Sequence, residues 1–152
     1  MLFAAVAAFG LYVGPTHAAT THVVDDDTIT GNCSFGEPTH STIQAAVSVS
    51  ASGDTVRVCP GIYNENVTVS TADLTIEGAK VGQDGRSRSV SGSGESEVRG
   101  TDVTASVKLE PNNITWDGFL VSNNASGAGL HTSALFSGYE IATPCSATTS
   151  ST

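Results

Sequence analysis

The chain has 152 residues, of which 39% are apolar and only 14% charged, the size of a single domain with a modest core. Fifteen Asp and Glu against six Lys and Arg give a formal charge of -9, a balance that argues against nucleic acid or an anionic membrane as partner. Abundant Ser, Thr, Gly and Asn suit strands and turns better than long surface helices, and an all-β domain is the first expectation.

Residues 1–19, "MLFAAVAAFGLYVGPTHAA", form an apolar run closed by small residues. They read as a secretory signal peptide cut after Ala18 or Ala19, which predicts a secreted or cell-surface protein with no membrane segment after cleavage. Only about 13 apolar residues precede Pro15, whereas a membrane span needs roughly 20. Export permits disulfides. Cys33 and Cys59 would close a loop of about 27 residues, stabilising the fold by roughly 3.5 kcal/mol through the entropy of the unfolded chain, with Cys145 left over.

The predicted domain spans 20–143. It opens with a short strand in "HVVDDD" and a polar loop holding Cys33. Asp25, Asp26 and Asp27 could bind calcium if a loop wrapped their oxygens around one ion. Neighbours on an extended strand point to opposite faces, however, so these acids read instead as a solvated edge that discourages further strand pairing. Next, "STIQAAVSVSAS" predicts one short helix over 42–51, capped by Ser41 or Thr42. Its residues Ile43, Ala46, Val47 and Ser50 recur at helical spacing. It should lie over the first coil of the domain and shield a bare sheet edge.

Beyond the helix the chain repeats itself. Val67, Val69, Leu74, Ile76 and Gly78 have the same spacings as Val107, Leu109, Ile114, Trp116 and Gly118, displaced by forty. Alternation over three to five residues gives strands too short for a hairpin sheet, but each can pair with its equivalent one circuit later. A displacement of forty is read as two turns of about twenty residues, a parallel β-helix of roughly four coils. In this reading "TVRV", "ENVTV" and "LTIEG" are successive walls, with a corner at Pro60-Gly61. Residues 79–96 are Gly- and Ser-rich, without periodic apolar positions, and predict a projecting loop. Residues 144–152 predict a disordered tail.

The stretches "TIQAAV", "SGDTVRVCPGIYNENVTV" and "LTIEGA" resemble the amino-terminal end of secreted right-handed parallel β-helix proteins of the pectin-lyase-like superfamily. "NITWDGFLVSN" and "GAGLHTSALFSGYEI" look like the next rungs. The resemblance covers residues 33 to about 142 and implies fold far more than activity. That superfamily includes pectate lyases, polygalacturonases and pectin methylesterases alongside noncatalytic surface proteins. None of the catalytic arrangements of those enzymes is present in this sequence. The resemblance therefore implies a β-helix scaffold or carbohydrate-associated module without catalysis of its own. The alternative is the amino-terminal fragment of a polysaccharide lyase or pectin esterase whose active rungs lie beyond this chain.

Candidate chemistry is sparse. Glu77 and Asp117 share the repeat displacement and precede Gly78 and Gly118, so they should lie on one outer wall. Two turns apart, their backbones would be roughly 10 Å from each other, at the edge of the range for an inverting glycosidase pair, so they read as surface acids flanking a tight turn, available for binding and not for catalysis. Lys80, Arg86, Arg88 and Arg99 gather most of the positive charge, and Arg86 and Arg88 could meet uronate carboxylates of a polysaccharide or cell-surface glycan. Trp116 alternates with Ile114 as a core residue. The histidines are scattered in sequence, which argues against a metal or catalytic pair, and no cofactor is expected. The uncovered last coil predicts self-association through its open sheet edge.

Overall fold

The structure is a computed structural model that describes residues 17–27, 33–84, 94–101 and 105–123. These form strands β1 (Thr21–Val24), β2 (Thr55–Val58), β3 (Gly61–Tyr63), β4 (Val67–Val69), β5 (Thr75–Glu77), β6 (Ser96–Gly100), β7 (Val107–Leu109), β8 (Thr115–Asp117) and β9 (Phe119–Asn123). One helix, α1 (Ile43–Val49), lies between β1 and β2. The sheets are β1-β2-β5-β8, β3-β6-β9 and β4-β7. All the pairings within them are parallel. From β2 onward the chain visits the three sheets in the same cyclic order, so each strand meets its partner one circuit later.

Alternation in the sequence becomes inward columns of apolar side chains. Val56, Ile76 and Trp116 are register partners on successive strands, as are Val67 and Val107, Val69 and Leu109, and Tyr63, Val98 and Val121. All are buried and belong to one core shared by the three sheets and α1. Trp116 stacks on Phe119 at 4.3 Å between ring centroids. Burial of these columns against one another supplies the main stabilisation, since strands of three residues gain little alone.

The register corrects two expectations. Val67 pairs directly with Val107 and Ile76 with Trp116, so a displacement of forty is one circuit. The first circuit, from β2 to β5, takes twenty, as the pairing of Thr55 with Thr75 shows. The next is longer because it carries the Gly- and Ser-rich segment. That segment ends at Glu95, not Ser96, because β6 begins there. The second correction concerns the walls. "LTIEG" belongs to the same sheet as "TVRV" and begins the next circuit, while the wall between "TVRV" and "ENVTV" is β3. With one inward residue, Tyr63, and an exposed Ile62, β3 shows no alternation to read.

Corners repeat as faithfully as walls. Two residues before β2, β5 and β8 stand Gly53, Asp73 and Asn113, with φ of +90°, +59° and +59°. Gly, Asn and Asp are the residues that enter the left-handed region most readily. The Asn113 side chain donates to Asp73 Oδ1 at 3.0 Å, and Ser52 donates to Asp73 Oδ2 at 2.9 Å, so the corner is tied from one circuit to the next.

The outer edges of the first circuit are covered by separate devices. β1 pairs with β2, and the Thr39–His40 segment in turn bonds to Val23 at the edge of β1. The backbone N–H of Ile62 in β3 donates to Asp26 Oδ2 at 2.8 Å. On β4, Gln44 of α1 accepts from Thr68 N at 2.7 Å and donates to Thr68 O at 3.2 Å, its amide standing in for a strand. The predicted helix is thus present and covers an edge, but of β4 alone. It is shorter than predicted because Ser50 is already extended, with ψ of 140°. Thr42 Oγ1 caps its start, and the Glu65 carboxylate accepts from the N–H groups of Ile43 and Gln44 at 2.8 and 2.9 Å.

Cys33 and Cys59 form a disulfide, as their spacing suggested. Cys145, the signal-peptide core, the tail and all strands predicted after residue 123 lie outside the described residues.

Gly118, at φ +83°, offers a direct test of the corner packing. A Cβ there would collide with the backbones of Val81, Lys80 and Gly78. Gly118→Ala is expected to lower stability by about 3 kcal/mol or more. Asn113→Gly, at an open corner of similar φ, should change it by less than about 1 kcal/mol. Urea denaturation of the two variants measures the difference.

Candidate functional site

The four-stranded sheet presents the most regular outward surface. Thr21, Thr55, Thr75 and Thr115 are consecutive register partners, one from each strand. Neighbouring strands lie about 4.8 Å apart, so the hydroxyls form a ladder at that repeat. Thr21 is exposed and the other three are half-buried. Two residues along each strand runs a second row, Arg57, Glu77 and Asp117. The Arg57 Nε donates to Glu77 Oε2 at 3.0 Å, and its guanidinium lies over Phe35 at 5.5 Å from the ring centroid.

Glu77 and Asp117 therefore stand on adjacent strands, not two turns apart, because the intervening circuit is a single one. Each carboxylate has a structural partner. Glu77 is held by Arg57, and Asp117 Oδ2 accepts from the Gly82 backbone at 2.7 Å, pinning the turn after β5. Arg86 and Arg88 lie outside the described residues. Arg99, from the same basic window, is half-buried and makes two bonds to Glu97 at 2.7 and 2.8 Å. Lys108 pairs with Glu110 at 2.7 Å.

The acidic run departs from its expected role. Asp25 is buried, with 3% of its surface exposed, and so is no solvated edge. The chain bends after Val24, which removes the strict alternation on which that expectation rested.

The histidines also converge, contrary to their scatter in sequence. Asp54 occupies the position before β2 that Leu74 and Ile114 occupy before β5 and β8, and like them it is buried. Its carboxylate accepts from Thr20 N and Ala51 N at 2.8 Å each. His17 and His22 lie against it at 3.0 and 3.3 Å, and His40 Nε2 stands 3.4 Å from His22 Nδ1. With the His22 proton on Nε2, donation runs in one direction, from His40 to His22 to Asp54. Donation by Thr20 and Ala51 holds the Asp54 carboxyl well below the usual range, and burial, then the nearby His22, lowers His40. The signal in the sequence was an acid in an otherwise apolar column. His131 lies outside the described residues.

No helix among the described residues is long and apolar enough to cross a membrane. Comparison with protein-family models, curated proteins and solved structures finds no match.

Asp54 gives the capped end a defined pH response. Its folded pKa is depressed, so its contribution is full above the unfolded value of about 3.9 and is lost as pH falls toward the folded one. Asp54→Asn is expected to cost about 2 kcal/mol at pH 7. The gap from wild type should narrow as pH falls below about 4. Denaturant midpoints measured from neutral to acid pH provide the check; a constant gap would show that the charge is not the stabilising element.

Proposed function

We propose that the described residues are the capped amino-terminal end of a secreted, right-handed parallel β-helix of the pectin-lyase-like kind, serving as a scaffold that holds polysaccharide on an outer wall. The cyclic visiting of three parallel sheets favours a helical wall arrangement. Parallel crossovers within one sheet are right-handed in about 98% of cases. Export is supported by the apolar leader and is compatible with the disulfide between Cys33 and Cys59.

The observation that carries the binding reading is the threonine ladder, Thr21-Thr55-Thr75-Thr115. An extended glycan offers hydroxyls at a regular repeat along its length, and a parallel wall offers donors and acceptors at its own. The adjoining Arg57-Glu77-Asp117 row adds charge at the margin. Catalysis by Glu77 and Asp117 is disfavoured because both carboxylates are committed to fixed partners.

Retention of the purified chain on insoluble pectate, cellulose and chitin tests the reading. Binding to at least one is expected, and the triple change Thr55→Ala, Thr75→Ala, Thr115→Ala should weaken it about tenfold or more, the equivalent of about 1.4 kcal/mol. Unaltered retention by the triple variant would move the site off this wall. No retention on any polymer would leave the scaffold without a glycan.

A further inference from the structure

The residues just after β1 form a cluster that neither the core nor the threonine wall explains. Asp25, Asp26 and Asp27 each bring a carboxylate oxygen within 4.8 Å of the others. Asp25 is 3% exposed, and neither of its carboxylate oxygens has a hydrogen-bond partner. Neither Asp25 nor Asp26 has an ion pair with Lys or Arg among the described residues. A buried carboxylate without donors, beside two more carboxylates, is strongly unfavourable unless a cation or a proton joins it.

Surrounding atoms hold the acids in place. Asp26 Oδ2 accepts from Ile62 N at 2.8 Å, and Gly61 leaves the room this requires, since a Cβ there would collide with the Asp26 carboxylate. Asp25 N donates to His40 O at 3.0 Å, fixing the backbone under the buried side chain. Beside the cluster, Tyr63 donates to Cys59 O at 3.0 Å.

We propose that Asp25, Asp26 and Asp27 bind one calcium ion, which latches the end of β1 to the start of β3. Calcium takes oxygen ligands at about 2.4 Å, so oxygens sharing one ion lie at most about 4.8 Å apart, and one oxygen from each of the three acids falls within that limit. Magnesium demands a strict octahedron at about 2.1 Å and dehydrates reluctantly, so it is less suited to an all-carboxylate site. Cys33 and Cys59 also come within 4.8 Å of Asp25, but their sulfurs are joined to each other, so no thiolate is present to favour zinc. Two positive charges would neutralise most of the cluster and give the buried Asp25 oxygens the ligand they lack. Asp26 is exposed, leaving the ion a way in.

The test uses the full chain, stripped with EDTA and titrated with calcium chloride, with calorimetry and thermal unfolding as the readouts. Saturable binding is expected with a midpoint of about 10⁻⁴ to 10⁻³ M. At tenfold excess over that midpoint the unfolding temperature should rise by roughly 5 °C, and magnesium chloride should have a smaller effect. Asp25→Asn should unfold in EDTA no earlier than wild type, since an unpaired charge is gone, yet lose the response to calcium. If that variant fails to fold, terbium luminescence of the wild type, excited through the nearby Tyr63 and displaced by calcium, decides the matter. Absence of binding heat and of any thermal shift at tens of millimolar calcium would overturn the proposal. So would an undiminished calcium response in Asp25→Asn, or terbium luminescence that calcium does not displace.

Discussion

Every parallel strand needs a hydrogen-bonding neighbour on both edges, and this fold meets that need by returning the chain to each sheet once per circuit. Among the described residues the outer edges of the first circuit are closed by other means. A strand serves for β2, the Asp26 carboxylate for Ile62 of β3, and the Gln44 amide for Thr68 of β4. All three caps come from residues that precede β2 in the chain. The disulfide joins this same region to the corner after β2.

Closing the core end imposes a second requirement, which is met with polar groups. Above the column of Leu74 and Ile114 sits Asp54, fully engaged by two backbone N–H groups and two imidazoles. A buried ion fully supplied with donors organises the segments that supply them. Residues 17–22, the loop after α1 and His40 are brought together around one carboxylate. Asp25, on the neighbouring strand end, is the opposite case, buried and unsupplied. The capped end thus holds both the best-satisfied and the least-satisfied carboxylate of the described core.

Much of the wall pattern was legible in the sequence, because an inward column of Val, Ile, Leu and Trp leaves an alternation that survives in strands of three residues. That Val67 and Val107 share a sheet, that a short helix lies within 42–51 and that Cys33 can pair with Cys59 could be read from spacing. The size of a circuit could not, since an insertion between β5 and β6 doubles it without disturbing any strand. Strand β3 was hidden because one inward residue makes no pattern. The convergence of His17, His22 and His40 on Asp54 could not be seen in spacing, as it depends on three segments meeting in space. The row of threonines became visible only with the register, because it depends on which strands are neighbours.

Sealing one end has an effect on how copies of the chain could meet. Head-to-tail stacking, in which the far face of one molecule adds strands to the near face of the next, would build an open fibre. Among the described residues, Asp26, Gln44 and the segment beside β1 already engage backbone groups on the near face. Strand addition at that face would first have to displace these groups, which opposes fibre growth in that direction.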